Sequence, residues 1–598
     1  MVTYSVPLKE MNFLLNDVLD VGEHYGRLGY DLGPDDIMPI MQEIAKFAEK
    51  EVHSISRSGD VEGVHFEDGK VTLPKGWVES YKKFAEAGWN SIEGPTEYGG
   101  QHLPATISVP MSETLASANA CWGMLPGLTT AAVETLVAHG SDKLKNQYLP
   151  NLISGQWFGT MCLTEAHAGT DLGMIRTKAT PIDEETYSIS GEKIFITGGD
   201  HDAVENIIHL VLARLPGAPE GTAGISLFVV PKININSDQS LAEPNKVTCS
   251  SIEHKMGIKA SPTCVLNFDG SKGYLVGQAN KGMTYMFTMM NTARIGTGIQ
   301  GLGIANAAYQ GALEYSRDRI QMRSLTGIKA KDKPADPIIV HPDVRKMLLT
   351  QKALIEGSRA LSYYGASLVD LSRHSKNKDE VAQCETLLAL LTPVIKGFVT
   401  EVGNECTSHA LQCFGGHGYI GEHGIEQLAR DARITTLYEG TTGIQALDML
   451  GRKVLMTQGQ SLKSFTYIIH KFCEAHKEDD VLGTMVKALS AKNKEWGDLT
   501  MKIGMNAMAN KDAVGGAAVD YLMYSGYVSL GYFWLKMAAA AKVKIDAGED
   551  LKFAKAKLET ARFYFDRILP RTLSLASTLV ADIGSLMNLE EDSFGLDV

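Results

Sequence analysis

Two polar clusters in this chain of 598 residues contain residue types that could do chemistry, each beside a β-rich run. The first, Met161 to Asp171 (MCLTEAHAGTD), places hydroxyl groups, two carboxylates and a glycine beside an apolar run, although a satisfied turn would use the same residues. The second, Lys193 to Gly199 (KIFITGG), ends a β-rich run with Phe195 and Thr197 two positions apart. Side chains at that spacing lie on one face of a strand. Such a face could cover a flat ring and hydrogen-bond to its edge.

A third cluster, Arg430 to Gln445 (RDARITTLYEGTTGIQ), carries a carboxylate that could act as a base. Glu439 stands between an aromatic residue and a Gly-Thr-Thr turn in a region dominated by apolar groups. Burial would disfavour the charged carboxylate and raise its basicity. Helix capping, or an ion pair with Arg433, would explain the same residue, and spacing alone does not decide among these interpretations.

Other chemical motifs are absent or stand in the wrong context. Gly296 to Gly301 matches the dinucleotide pattern G-x-G-x-x-G, but helical sequence precedes it where that motif needs a strand. Small residues on a closely packed helix explain it better. The chain has no H-E-x-x-H, G-x-S-x-G or P-loop motif, and His409, His417 and His423 lack metal-ligand spacing. We therefore expect no metal site.

Composition excludes several classes of protein. Lys and Arg total 57 against 70 Asp and Glu, and the formal charge of -13 has the wrong sign for a nucleic-acid binder. The eight cysteines form no C-x-x-C pair and are expected to be free thiols. The first ten residues do not resemble a secretory signal, and the most apolar segment, Tyr521 to Leu535, is too short to cross a bilayer. We expect a cytoplasmic protein without a membrane span, with this segment as a buried helix.

Periodicity predicts an α+β fold of four regions. Helical spacing of apolar residues extends over residues 1–157, and β-rich runs separated by turn residues fill residues 158–282. Helical spacing returns over residues 283–455, and an added helical extension covers residues 456–598. The clearest strand segments are residues 187–190, 207–212 and 225–230.

The three clusters and the order of the regions together resemble the acyl-CoA dehydrogenase family. The resemblance covers most of the chain and rests on eight segments in the family's order. They are PTEYGG (95–100), GSDKLKNQYLPNLISG (140–155), CLTEAHAGTD (162–171), KIFITGG (193–199), HKMGIKASPT (254–263), YSRDR (315–319), QCFGGHGY (412–419) and RDARITTLYEGTTGIQ (430–445). The resemblance implies a helical N-terminal domain, a barrel-like β domain and a C-terminal four-helix bundle, here followed by the extension.

The resemblance also implies FAD-dependent α,β-dehydrogenation of an acyl-CoA thioester to a trans-2-enoyl-CoA. Glu439 is expected to remove the α-proton while the β-hydrogen leaves as hydride to FAD. The backbone N–H of Glu439 and a ribityl hydroxyl of FAD would stabilise charge on the thioester carbonyl. The family's second location for the base, beside Arg294, holds Ala293, which cannot accept a proton. Tyr438 and Arg294 are expected to contact the substrate.

Cofactor contacts follow from the resemblance position by position. The residues expected to bind FAD are Leu163, Thr164, Gly169, Thr170, Phe195, Thr197, Arg319 and Thr441, with Gln412, Gly415 and Gly416 reaching the adenosine end from a neighbouring subunit. A shared FAD site implies a homo-oligomer, expected to be a dimer. The chain departs from the family pattern at Phe195, where Trp is commoner, and at His167. It also departs at Asn291 and Gly443, which puts contacts to the CoA arm and to the adenosine in doubt.

Several functional alternatives share this set of residues. Electron-transferring flavoprotein is the expected electron acceptor of a dehydrogenase, whereas an acyl-CoA oxidase would keep Glu439 and FAD but react with oxygen. A non-catalytic acyl-CoA-binding protein would keep only the fold, and an NAD-linked enzyme would rest on Gly296 to Gly301 alone. With its C-terminal extension the chain also resembles a long bacterial subfamily of the acyl-CoA dehydrogenase family. That resemblance implies 3-methylmercaptopropionyl-CoA as substrate, with medium- or long-chain acyl groups as the alternative.

Overall fold

The computed structural model describes residues 3–236 and 238–596, and the chain divides into two compact units. One unit is Glu43–Gly296, and the other combines Met1–Gln42 with Thr297–Val598. The α-helices are α1 Leu8–Asn12, α2 Val21–Leu28, α3 Pro34–Phe47, α4 Ser56–Glu62, α5 Trp77–Glu86, α6 Ala105–Ala118, α7 Ala120–His139, α8 Asp142–Ile153, α9 Gly282–Asp318, α10 Pro342–His374, α11 Lys378–Pro393, α12 Val399–Phe414, α13 Ile425–Ile434, α14 Thr442–Leu447, α15 Gln460–His476, α16 Gly483–Ala509, α17 Asp512–Ala547, α18 Leu551–Phe563, α19 Thr572–Thr578 and α20 Gly584–Met587. The strands are β1 His65–Glu67, β2 Lys70–Thr72, β3 Trp157–Cys162, β4 Lys178–Pro181, β5 Thr186–Thr197, β6 Asn206–Arg214, β7 Ile225–Pro231, β8 Ile233–Ile235, β9 Leu241–Pro244, β10 Val247–Ile252 and β11 Thr263–Leu275. Segments of π-helix occupy Phe13–Val18, Ala48–Val52, Val394–Phe398, Asp448–Leu455 and Tyr564–Ile568.

The two helices that come directly before the β region, α7 and α8, begin at polar caps. The side chain of Asn119 accepts from the Trp122 N–H at the start of α7, and Ser141 accepts from the Leu144 N–H at the start of α8. Such caps satisfy backbone donors that a helix leaves unpaired. Apolar residues of both helices then join one buried core with strands β6 and β7. The predicted N-terminal helical region is confirmed here.

One β-hairpin interrupts that helical region, and helical periodicity did not predict it. Strands β1 and β2 pair antiparallel across Asp68 and Gly69. Both turn residues have positive φ, 50° and 75°, as a tight two-residue hairpin turn requires. The strands have three residues each, which is too short for a recognisable alternation.

The β region closes into a barrel-like sheet. Strand β5 pairs with β4 and β11, β6 pairs with β4 and β7, and β7 pairs with β11, so these pairings form a closed circuit. Strand β3 runs parallel to β6 outside the circuit. Apolar side chains such as Ile189, Val211 and Phe228 fill one core of this domain. The predicted strand segments lie in β5, β6 and β7 and are confirmed.

Helix packing explains the glycines that match the dinucleotide pattern. They lie inside α9, where a Cβ at Gly298 would stand 2.4 Å from the backbone oxygen of Ile395. A Cβ at Gly301 would stand 3.1 Å from the α-carbon of Thr400. These glycines allow two helices to approach closely, and the interpretation as helix packing is confirmed.

The C-terminal extension is helical, as predicted. Tyr521 to Leu535 form the middle of α17 and are almost entirely buried, and Trp534 Nε1 donates to the carbonyl of Ala353 in α10 at 2.9 Å. All eight cysteines are buried free thiols. A different stretch, Lys378–Tyr419, is long and apolar enough to cross a membrane by length and composition, and 78% of its apolar window is buried inside the protein.

Candidate active site

A buried ion pair holds the loop that follows β3. Lys193 Nζ lies 2.9 Å from Glu165 Oε1 and 2.9 Å from the carbonyl oxygen of Leu163. The Glu165 carboxylate also accepts the backbone N–H groups of Arg176 and Thr177 at 2.7 and 3.0 Å. Glu165 near the start of the loop thus accepts from Arg176 and Thr177 at its end, and these contacts hold the two ends of residues 163–177 together.

The electrostatics of this loop favour an ionised Glu165. Burial raises the pKa of Glu165, but the ammonium of Lys193 and the hydrogen bonds from Thr177 and Arg176 outweigh burial and hold the pKa below its ordinary value. Lys193 itself is fully buried, so removal of its charge would leave the carboxylate without its main counter-ion.

Phe195 lies at a bulge in β5. The register against β11 shifts at this point, and Phe195 takes a positive φ of 59° while its side chain is 58% exposed. Ile196 is buried and Thr197 is half-buried. Phe195 and Thr197 are thus both more exposed than Ile196 between them, which lies in the core of the β domain. The bulge sends Lys193, two residues earlier, into the interior instead.

The predicted base lies in a tight turn between α13 and α14. Glu439 and Gly440 have positive φ values of 55° and 86°. Gln445 Nε2 donates to the carbonyl oxygen of Glu439 at 2.9 Å, and Lys396 Nζ donates to the carbonyl oxygen of Gly440. Two buried side chains thus hold two successive carbonyl groups, and Glu439 is half-buried above them.

The sequence left two other roles open for Glu439, as a helix cap and as an ion-pair partner of Arg433. In the structure, other residues make the corresponding contacts. The N-cap of α14 is Thr441, which accepts from the Ile444 N–H at 3.3 Å, so Glu439 does not cap that helix. Arg433 Nη1 donates to Thr436 Oγ1. On the other side of the turn, Tyr438 Oη donates to Gln300 Oε1 in α9.

The ends of α9 and α12 lie together in the same unit as Glu439. Tyr315 stacks on Phe414 with ring centroids 4.2 Å apart. Arg319, one residue after α9, is exposed, and so are the predicted residues after Cys413. Gly415 has a φ of 60°, and a Cβ at Gly415 or Gly416 would meet no heavy atom within 4 Å. Gln412, Gly415, Gly416 and Arg319 therefore lie at one exposed end of the helical bundle.

Arg294 lies in the first half of α9, in the other unit, where its guanidinium carbon stands 5.9 Å from the ring centroid of Phe287. The predicted residues thus divide into two groups. The β-domain group contains Leu163, Thr164, Gly169, Thr170, Phe195 and Thr197 with Arg294 in the same unit, and the helical group contains Arg319, Gln412, Gly415, Gly416, Tyr438, Glu439 and Thr441.

Three structurally important side chains were missed from the sequence: Lys193, Lys396 and Gln445. A signal existed for Lys396, because it is one cation inside the apolar run 394–399 (VIKGFV), and a buried charge needs a specific partner. Lys193 gave no such signal, since lysines at strand positions are usually exposed.

Family models match nearly the whole chain. The acyl-CoA dehydrogenase N-terminal domain matches residues 35–156, the middle domain residues 160–271 and the C-terminal domain residues 280–455. A further model, acetyl-CoA dehydrogenase C-terminal like, matches residues 465–590. The chain belongs to the acyl-CoA dehydrogenase family.

Relatives of similar length share the whole architecture of this acyl-CoA dehydrogenase. It is 40% identical to a 3-methylmercaptopropionyl-CoA dehydrogenase of Ruegeria pomeroyi over 95% of this chain and 96% of the relative. It is 34% identical to a butyryl-CoA dehydrogenase of Syntrophomonas wolfei over 99% of each chain. The crystal structure of Caenorhabditis elegans ACDH-11 in complex with C11-CoA matches with a TM-score of 0.77 at 22% identity, covering 94% of this chain and 91% of that one. The expected fold, with its extension, is therefore confirmed.

Acyl-CoA dehydrogenases are FAD-dependent oxidoreductases, and the donor set at the β-domain edge fits such a cofactor. The hydroxyl groups of Thr164, Thr170 and Thr197 make no hydrogen bond within the described residues. A Cβ at Gly169 would meet no atom within 4 Å. Together with exposed Phe195, these groups offer an aromatic surface and unused donors to a flat ring with a polar edge.

Proposed function

We propose that Glu439 is the base with which this acyl-CoA dehydrogenase removes the α-proton of a short acyl-CoA thioester. The observation that carries the proposal is the turn at Glu439. A residue with a side chain occupies left-handed backbone there, and buried side chains hold the carbonyl groups on either side of Gly440's α-carbon. Strained and over-determined backbone of this kind is characteristic of functional sites.

The reaction balances without a metal. The Glu439 carboxylate takes the α-proton, the electron pair of that C–H bond forms the C=C bond, and the β-hydrogen leaves with its own pair. FAD supplies the acceptor for that hydride when bound. The backbone N–H of Glu439 is proposed to hydrogen-bond to the thioester carbonyl, where charge develops, and Tyr438 and Arg294 to contact the substrate.

FAD binding is proposed for two groups of residues. Those at the β-domain edge are Leu163, Thr164, Gly169, Thr170, Phe195 and Thr197, and those of the helical unit are Arg319 and Thr441, with Gln412, Gly415 and Gly416 serving the adenosine end of a neighbouring subunit. The guanidinium of Arg319 suits a pyrophosphate because it offers several donors in a fixed geometry. The exposed glycines after α12 allow a ligand to approach the backbone.

A short acyl group is the proposed substrate. Two of the full-length relatives are named for 3-methylmercaptopropionyl-CoA and butyryl-CoA, and both acyl chains are short. The higher identity, 40% against 34%, favours 3-methylmercaptopropionyl-CoA. Electron-transferring flavoprotein is the proposed acceptor, and a cytoplasmic homodimer with domain limits at residues 157, 282 and 455 is the proposed organisation.

Anaerobic flavin bleaching tests the base and the substrate together. The purified protein and its Glu439→Gln variant would be mixed with 3-methylmercaptopropionyl-CoA, butyryl-CoA and a long-chain acyl-CoA. We expect rapid bleaching of the native protein by the short substrates and a loss of about 10³-fold or more in the variant, because no other group replaces the base. Retention of the flavin band in the variant shows that FAD remains bound.

Glu426→Gln is the matched control, since Glu426 pairs with Arg430 on α13 at 2.5 Å and lies before the turn. It should bleach at the native rate. A Glu439→Gln variant as fast as the control would rule out Glu439 as the base. Bleaching by long-chain substrates alone would overturn the short-chain proposal, and stoichiometric peroxide release in air would assign an oxidase instead.

A further inference from the structure

Lys396 is a fully buried cation directly beneath the turn that carries Glu439. It lies in the π-helical segment Val394–Phe398, all of whose residues are buried. An ammonium removed from water is costly unless it is hydrogen-bonded. Its Nζ donates to the carbonyl oxygen of Gly440, so the cation is hydrogen-bonded to the residue that follows the proposed base.

Gln445 holds the preceding carbonyl from within α14. Its Nε2 donates to the carbonyl oxygen of Glu439 at 2.9 Å, and its side chain is fully buried. A Cβ at Gly440 would stand 2.6 Å from that same nitrogen. The absence of a side chain at Gly440 therefore lets Gln445 reach the carbonyl of Glu439.

The elements that carry the two side chains pack directly on each other. A Cβ at Gly397, the neighbour of Lys396, would stand 3.3 Å from Gln445 Cβ and 2.6 Å from Leu522 Cδ2 of α17. Gly397 thus allows α14 and α17 to approach the π-helical segment. An inserted π-turn changes the direction of the side chains around it and is often found at functional sites.

We propose that Lys396 and Gln445 are positioning residues that hold the backbone of the turn and thereby the Glu439 carboxylate. The proposal rests on the proposed role of Glu439 as base. Two successive carbonyls held by buried donors leave the peptide planes on both sides of Gly440 little freedom to rotate. That constraint restricts both backbone angles of Gly440 and the ψ angle of Glu439, which limits the directions open to the Glu439 side chain. Proton transfer from carbon depends steeply on such alignment.

The test compares the FAD-loaded native protein with Lys396→Met and Gln445→Met, which keep side-chain length but remove the donors. Anaerobic flavin bleaching by butyryl-CoA gives the rate, the amplitude and the substrate Kd. We expect rates lower by about 10- to 100-fold with full amplitude and a Kd within about threefold of native. An α-deuterated substrate should slow the variants at least as much as the native protein, because proton removal limits their rate.

Lys557→Met is the matched control. Lys557 is another buried lysine of the same unit, and it pairs with Glu10 and Glu356 instead of the turn. It should lower the Tm yet bleach at the native rate. Native rates with only a reduced amplitude in Lys396→Met and Gln445→Met would indicate partial unfolding and overturn the proposal. If Lys396→Met does not fold, Gln445→Met alone decides by the same criterion.

Glu439→Gln measured in the same experiment separates the two proposals. If it is inactive while Lys396→Met and Gln445→Met are native in rate, the positioning role fails and the base stands. If it bleaches at the native rate, the proposed base fails and the positioning role fails with it.

Discussion

Adjacent residues at the turn use left-handed backbone for different reasons. Glu439 carries a side chain there at a cost of about 1–2 kcal/mol, which the hydrogen bonds from Lys396 and Gln445 offset. Gly440 bears no such cost, and because it has no Cβ, the side chain of Gln445 can reach the carbonyl of Glu439. The turn therefore depends on a glycine at residue 440 and not at residue 439.

Gly440→Ala should damage both stability and rate. The alanine would have to adopt the φ of 86° that Gly440 has, and its Cβ would stand 2.6 Å from Gln445 Nε2. We expect the unfavourable backbone conformation to lower the free energy of unfolding by about 1–2 kcal/mol. Separation of Gln445 from Glu439 adds about 1 kcal/mol. Thermal unfolding and the rate of anaerobic flavin bleaching measure the two effects.

Gly443→Ala is the comparison for that variant. Gly443 lies inside α14 without a positive φ, and its nearest outside atom would be Thr441 Oγ1 at 3.9 Å. Alanine favours a helix over glycine by up to about 1 kcal/mol, so this variant should be as stable as the native protein or more stable. Equal stability and rate in the two alanine variants would contradict the account of the turn.

Individual site residues were predictable from the sequence to different degrees. The turn that carries Glu439 was predicted from the residues beside it, because they are local in sequence, and the proposed role of Glu439 comes from the family resemblance. Lys193 and Lys396 could not be assigned roles, since their partners, Glu165 and Gly440, lie 28 and 44 residues away along the chain. Such contacts arise only from tertiary packing.

At the scale of helices and strands, an ion pair joins the helical bundle to the C-terminal extension. Arg571 Nη2 and Nη1 bind the two carboxylate oxygens of Glu405 in α12 at 2.7 and 2.9 Å. Burial raises the pKa of Glu405, but hydrogen bonds from His409 and Arg571 outweigh it and lower the pKa to about 2. Two parallel hydrogen bonds of this kind are stronger than a single contact.

The contribution of Glu405 to the free energy of unfolding should depend on pH. A lowered carboxyl pKa contributes stability that is complete above the ordinary value of 4.5 and is lost as the pH falls towards 2. Glu405→Gln should therefore cost about 1–2 kcal/mol at pH 7, and the difference from native should shrink below pH 4.5. Tm measured across this range checks the sign. A difference that grows on acidification would contradict it.

Elements were predictable where their periodicity was uninterrupted. Strands β5, β6 and β7 and helix α17 followed from alternation or from a long apolar stretch. The hairpin β1–β2 was missed because three-residue strands carry too little pattern. The bulge at Phe195 was also beyond prediction, since it depends on the register with β11 and not on residues nearby in sequence.

At the scale of the whole molecule, the C-terminal extension packs into the same core as the rest of its unit. Leu522 of α17 contacts Gly397, and a Cβ at Gly526 would stand 2.2 Å from the ring of Phe398. Lys557 of α18 binds Glu10 and Glu356 inside the same unit. The extension therefore packs against the segment that carries Lys396 and is not a separate appendage.

Truncation tests this integration. A chain that ends at residue 458 would expose the apolar residues now covered by α17, and each 100 Å² of apolar surface costs about 2.5 kcal/mol in water. We expect that chain to be insoluble or to lack fixed tertiary structure, measured by soluble yield, near-UV circular dichroism and flavin content. A chain that ends at residue 580 removes mostly exposed residues, among them Leu586, Met587 and Phe594, and should keep native flavin content and bleaching rate. A yellow, active and folded chain of 458 residues would instead mean that the extension is dispensable for the fold and serves another purpose, such as contact between subunits.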